Sequence, residues 1–212
     1  PDFGTQGVIE RFSQIKPKLL IITDRYYYNG KEINVLERLP TILKKIKSIK
    51  SVLITNYPGK KNLKQKKIKG IKIFYFNKLK HKVESKITFK KFDFDKELAI
   101  LYSSGTTGKP KCICHRAGGV LLQHLKEHKL HCNVKPGDNV FYFTTCGWMM
   151  WNWLVSSLAV GSTIVLYEGS PFYPNSSSLW KLAEDLNITV FGISAKFISA
   201  CQEAEVSPIK NH

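Results

Sequence analysis

Short runs of aliphatic and β-branched residues recur along this chain, separated by longer amphipathic stretches, and this alternation restricts the fold more than any other feature. Lys18 to Thr23 (KLLIIT), Ser51 to Thr55 (SVLIT), Ile71 to Phe76, Leu98 to Tyr102, Val140 to Thr144, Thr163 to Tyr167 and Thr189 to Gly192 read as strands. Between them, Gly118 to His131, Met149 to Val160, Leu179 to Leu186 and Ala195 to Glu203 read as helices, the third led by capping residues Asn175 to Ser178. Glu32 to Ile46 places Ile33, Leu36, Leu39, Leu43 and Ile46 at helical spacing, with Pro40 at an end or a kink. Strands that alternate with helices build βαβ units, so the expected fold class is α/β: a mainly parallel sheet with helices on both faces.

The chain has 212 residues, 43% of them apolar, which suits a domain with a real core. Its five cysteines (Cys112, Cys114, Cys132, Cys146 and Cys201) are odd in number and have no framework spacing, as expected of a reduced, cytoplasmic compartment. The apolar run from Trp148 to Val160 is interrupted by Asn152, Ser156 and Ser157 and is too short to span a bilayer. A formal net charge of +17 invites a nucleic-acid reading. Lysine rather than arginine dominates, however, and its densest run, Lys60 to Gly70, reads as a connector. No finger, helix-turn-helix or RNA-binding aromatic signature accompanies it, so a specific nucleic-acid partner is not expected.

The densest chemistry lies in Tyr102 to Lys111, YSSGTTGKPK. Glycines let backbone fold close around an anion, and backbone amides, hydroxyls and two ammonium groups offer many donors. The loop therefore suits a nucleotide polyphosphate. Gly105 and Gly108-Lys109 are too close for GxxxxGK[ST], and Pro110 stands where a magnesium-binding hydroxyl would follow. GxGxxG is absent as well. A flexible Ser/Gly linker is the bland alternative. The loop is short, follows a buried strand directly and ends in a rigid Lys-Pro-Lys, all of which favours phosphate.

YSSGTTGKPK resembles the phosphate-binding signature of the adenylate-forming superfamily, which includes acyl-CoA synthetases, luciferases and peptide-synthetase adenylation domains. The segment FTTCGWMMWNWLVSSLAVGSTIVLYEGSP (Phe143 to Pro171), the opening PDFGTQGVIERFSQIKPK and YYYNGKE (Tyr26 to Glu32) resemble the acetoacetate–CoA ligases within it. The resemblance implies a two-step reaction. Acetoacetate attacks the α-phosphorus of ATP, giving an acyl-adenylate and pyrophosphate, and the thiol of coenzyme A then displaces AMP. Mg²⁺ accompanies the nucleotide. By the same resemblance, Ser103, Ser104, Gly105, Thr106, Thr107, Gly108 and Lys109, supported by Lys111, hold the β- and γ-phosphates, and Pro110 shapes the loop's exit. Gly147, Trp148, Met149 and Met150 shape the acyl pocket and the mouth of the coenzyme A tunnel, at a strand-to-helix junction of the kind where open α/β sheets bind ligands. Trp151 and Trp153 read as core.

His124, His128 and His131 share one helical face and could hold zinc, but Gln123, Lys126 and Glu127 around them favour an exposed polar stripe, and no metal site is expected. Cys112 and Cys114 read as small buried strand residues, His115 as a residue that holds local backbone, and Cys146 as an unactivated thiol. The superfamily's adenine, ribose and hinge motifs and its C-terminal lysine are not found in the sequence. Residues 1–212 are therefore expected to be part of an N-terminal AMP-binding domain without the C-terminal lid domain, and inactive alone. The rival expectations are another short-chain acyl-CoA ligase, acting on acetate or propionate, and a non-catalytic basic binding module.

Overall fold

In the computed structural model, which describes residues 3–61, 63, 65, 67–79, 88–103 and 108–208, the aliphatic runs do form strands. The chain divides into two units, Pro1–Tyr26 with Glu32–His115, and Tyr27–Lys31 with Arg116–His212.

The first unit begins with helix α1 (Thr5–Ile15), which packs Val8 and Phe12 against the core. Strand β1 (Leu19–Thr23) follows, then β2 (Arg25–Tyr28) and β3 (Lys31–Asn34), of which Tyr27–Lys31 are counted with the second unit, helix α2 (Leu39–Lys45), β4 (Ser51–Thr55), β5 (Lys72–Tyr75), β6 (Glu97–Tyr102) and β7 (Cys112–Arg116). β1, β4 and β5 form a parallel sheet in the order β1-β4-β5, with Leu20 level with Val52 and Val52 level with Ile73. Side chains alternate across a strand, so Leu20, Val52 and Ile54 point together onto Leu39, Ile42 and Leu43 of α2. Val52, Ile54 and Leu39 are wholly buried.

Two features of the chain before β4 differ from the sequence reading. α1 was not expected, although Val8, Phe12 and Ile15 carry a helical spacing. The single helix expected over Glu32 to Ile46 is a strand, a 3₁₀ turn (Leu36–Arg38) and a short helix. Asn29 and Gly30 join β2 to β3 with φ of 48° and 72°, the pair of positive values that a two-residue hairpin turn needs, and β3 is drawn into strand pairing. Pro40 lies in the first turn of α2, where its missing N–H removes no helical hydrogen bond.

The second unit contains helix α3 (Ala117–Lys126), which runs into a π-helical turn at Glu127–His131, then β8 (Asn139–Tyr142), α4 (Met149–Ser156), β9 (Thr163–Val165), α5 (Ser178–Asp185), β10 (Val190–Gly192) and α6 (Ala195–Glu203). Its parallel sheet has the order β10-β8-β9, with Val190, Val140 and Ile164 in line. One face meets Val134, Trp153, Leu154 and Val160; the other meets Leu179, Phe197 and Cys201. Helices thus flank both faces, as the βαβ pattern requires. Ser194 caps α6, its Oγ accepting from the Phe197 amide at 3.3 Å. Among the described residues no helix is long and apolar enough to cross a membrane.

The end of β1 is tied down by one carboxylate. Asp24 is 1% exposed and accepts hydrogen bonds from the amides of Tyr57 (3.0 Å) and Leu63 (3.1 Å) and from the Asn56 side chain (3.3 Å), with Arg25 at 3.6 Å. Burial pushes its carboxyl upward, but the Leu63, Tyr57 and Asn56 hydrogen bonds and the Arg25 charge together outweigh that and hold it below the ordinary value. A carboxyl depressed in the folded state adds stability above its unfolded value of about 4 and loses it as pH falls through the folded value. Asp24→Asn should therefore lower the urea midpoint at neutral pH and flatten the acid limb of a stability-against-pH curve. An unchanged acid limb would contradict this.

Candidate functional site

The glycine-rich loop joins β6 to β7, and its two ends are locked together. The Ser103 amide donates to the Lys111 carbonyl (3.0 Å), and the Lys111 amide donates back to Ser103 Oγ (2.9 Å). This two-bond stem makes the segment a closed loop rather than a slack linker. α1 supports its exit: Gln14 Nε2 donates to the carbonyl of Pro110 (2.8 Å), which is buried, and Cys112 Sγ lies 3.6 Å from Gln14 Oε1. Tyr102, at the entry, packs 6.4 Å from the Phe12 ring, and burial pushes its phenol up to about 12, with Cys112 acting in the same direction and Arg11 opposing. Gly108 has φ of 146°, a value that favours glycine, and Lys109 and Lys111 are exposed. Ser104, Gly105, Thr106 and Thr107 lie outside the described residues. The donors in view are the amides of Gly108 and Lys109, the Ser103 hydroxyl and two ammonium groups, a set suited to a polyphosphate.

The second expected group lies in the other unit. Gly147 and Trp148 lie between β8 and α4, Met149 and Met150 open α4, and Trp148 holds the N-cap position with extended φ and ψ of -115° and 155°. Trp148 and Met149 are about half exposed, at 49% and 44%. Met150 turns inward and lines an open cleft of about 520 Å³ whose walls also include Lys126, Glu127, Tyr142, Trp153 and Gly192. Tyr142 and Gly192 end their parallel strands, so the cleft sits at the strand ends where such sheets bind ligands.

Two residue groups here depart from the sequence reading. The expected exposed histidine stripe is largely interior: His128 is wholly buried and His124 is 4% exposed, whereas His131 is exposed. The ring of Trp153 covers the stripe, its centroid 4.3 Å from that of His128. His128 Nε2 lies 3.0 Å from the Trp153 carbonyl oxygen, which can only accept, so the ring carries its proton there; Ser156 Oγ is also at 3.0 Å. Burial pulls the His128 imidazole below its usual value; the Trp153 hydrogen bond opposes this, His124 adds to it and Glu127 opposes it. Cys112 and Cys114, expected to be buried, lie on β7 as anticipated but are exposed, because the described part of β7 is covered on neither side at these positions. Trp153 is core as expected, 6% exposed, yet it is also a wall of the cleft. Glu127 drew no separate reading from the sequence, and no sequence signal marks it.

The family model for AMP-binding enzymes matches residues 1–211. The chain belongs to the AMP-binding enzyme family. Over its whole length it is 45% identical to an acetoacetyl-coenzyme A synthetase from Rhizobium meliloti (strain 1021) and 44% identical to an acetoacetyl-CoA synthetase from Gallus gallus. The solved structure of an acetoacetyl-CoA synthetase from Streptomyces lividans matches all of the chain at 38% identity with a TM-score of 0.87, and 31% of that chain is covered. The chain spans about a third (32%) of the length of those curated relatives.

Gly192 has a specific steric reason to be glycine. A Cβ built there would collide with the Tyr142 ring, 2.7 Å from Cε2, so the ring lies in the space that a side chain would fill. Gly192→Ala should displace Tyr142 from the cleft wall and cost about 1–3 kcal/mol of stability. Chemical denaturation checks this, and a stability change within error would contradict it.

Proposed function

We propose that this chain is part of the N-terminal AMP-binding domain of an AMP-forming acid–thiol ligase that joins acetoacetate to coenzyme A at the expense of ATP. The observation that supports this reading most is the correspondence of the whole chain with acetoacetyl-CoA synthetases in sequence and in structure, at a TM-score of 0.87. The closed loop between Ser103 and Lys111 adds local chemistry suited to the first step.

In that step a carboxylate oxygen of acetoacetate attacks the α-phosphorus of ATP, and the bond to the β-phosphate oxygen breaks. Positioning and charge neutralisation lower such a barrier more than covalent chemistry does. Ser103, Ser104, Gly105, Thr106, Thr107, Gly108, Lys109 and Lys111 are assigned to the β- and γ-phosphates, where amides, hydroxyls and ammonium groups neutralise the departing pyrophosphate. These donors fit the phosphates; Mg²⁺ would arrive on the nucleotide and supply further neutralisation. Gly147, Trp148, Met149 and Met150 are assigned to the acid and to the entry of the coenzyme A thiol. That thiol then attacks the acyl carbonyl and AMP leaves. The partners are small molecules, and five free cysteines fit a reducing, cytoplasmic compartment.

Acetoacetate-dependent exchange of pyrophosphate into ATP by the full-length protein tests the reading. Exchange should exceed that with acetate or propionate, and Lys109→Ala should raise KM for ATP about tenfold. Activation of acetate or propionate, but not acetoacetate, would overturn it.

A further inference from the structure

The π-helical turn at Glu127–His131 holds Trp153 from two sides. The extra residue of the turn is marked by the Cys132 amide donating to the Glu127 carbonyl at 2.9 Å, five residues back. π-turns are rare and recur at functional sites. Here the bulge brings consecutive side chains onto one tryptophan. The His128 ring packs against the indole at a tilt of 45° and donates to the backbone carbonyl of Trp153. Glu127 Oε2 accepts from the indole Nε1–H at 2.8 Å, and its Oε1 accepts from Gln123 Nε2 at 2.6 Å. Both carboxylate oxygens are thus engaged, so Glu127 acts as a brace with its charge partly satisfied inside the cleft. The Tyr142 ring, seated over Gly192, meets Trp153 edge-on at 6.0 Å and fixes the opposite wall. The mouth is Met150, the innermost residue of the segment assigned to the acid.

We infer that this cleft receives the acyl portion of the acid and that Glu127 is a positioning residue, setting acid selectivity by fixing the indole of Trp153. The inference rests on the ligase reading above. Its chemistry is that of a small amphipathic 3-oxo acid: Tyr142, Met150, Trp153 and Val190 give apolar walls, Lys126, Glu127 and His131 add polar groups, and the volume exceeds what acetoacetate needs, so a fixed Trp153 decides how much of it a short acid can use. Releasing the indole should loosen the fit for acetoacetate more than for a longer 3-oxo acid.

The test uses the full-length protein and its variants Glu127→Leu, Glu127→Gln and Trp153→Phe, assayed with acetoacetate and with 3-oxohexanoate. Glu127→Leu should raise KM for acetoacetate about tenfold, as expected for loss of a charge-assisted hydrogen bond, with KM for ATP within about twofold. The preference for acetoacetate over 3-oxohexanoate should fall in the same proportion. Glu127→Gln keeps one acceptor for the indole and should restore most of the preference. The tryptophan emission of Glu127→Leu should shift, and the shift should vanish when Trp153 is also Phe. If Glu127→Leu does not fold, Trp153→Phe carries the test, because it removes the same hydrogen bond and keeps an aromatic ring. Unchanged acid KM and preference in the folded variants would overturn the inference while leaving the ligase reading intact. If the wild type activates a different acid, that reading fails, and the KM for the acid it does activate decides the inference. If no acid is activated, both fail.

Discussion

Strand β8 carries the second unit because two of its consecutive residues must both be dry. Val140 and Phe141 point to opposite faces of the sheet, and each is 0% exposed. Val140 anchors the cluster with Trp153, Leu154 and Val160; Phe141 anchors the one with Leu179, Phe197 and Cys201. Parallel pairing to β9 and β10 on its two edges leaves β8 central, and a strand buried on both faces loses the hydrophobic-in, polar-out alternation. The consequence for function is geometric. The chain leaving β8 must turn at Gly147 into α4, and that turn puts Met150 and Trp153 beside the ends of β8 and β10.

The cleft at this junction combines features that a core alone does not need. A core tryptophan requires only that its indole N–H find a partner. Here the partner is a carboxylate with a second donor of its own, on a turn whose backbone departs from α-helical geometry, and the neighbouring histidine is buried with its Nδ1 lacking a hydrogen-bond partner among the described residues. The first unit spends its polar interactions differently. Asp24 gathers the chain after β4, and Gln14 braces the exit of the glycine-rich loop.

The fold class was legible in the sequence because the parallel strands are short apolar runs, aliphatic in β1 and β4 and partly aromatic in β5, β8 and β10, and the helices between them keep a period of 3.6. Legibility failed where a turn outweighed a period. Ile33, Leu36, Leu39, Leu43 and Ile46 satisfy a helix, but Asn29-Gly30 starts a hairpin, and the Asn-Gly pair was the signal that could have been read. α1 was missed although Val8, Phe12 and Ile15 marked it. The position of the glycine-rich segment between β6 and β7 could be read because the signal is local: it follows a strand directly and ends in Lys-Pro-Lys. The Trp153 clamp could not, because Glu127 and Trp153 are 26 positions apart and meet only through packing of α3 against α4. For the same reason His124 and His128 read as exposed; the residue that covers them is remote in sequence.

In the proposed ligase the acid would be held at the end of β8, against Met150 and Trp153. The most direct measurement is a crystal structure of the full-length protein with a non-hydrolysable mimic of the acetoacetyl-adenylate. The acyl carbons should lie in van der Waals contact, about 4 Å, with Met150 and the Trp153 ring, and the Glu127–indole hydrogen bond should be intact. An acyl group bound elsewhere, with this cleft filled only by water, would contradict it.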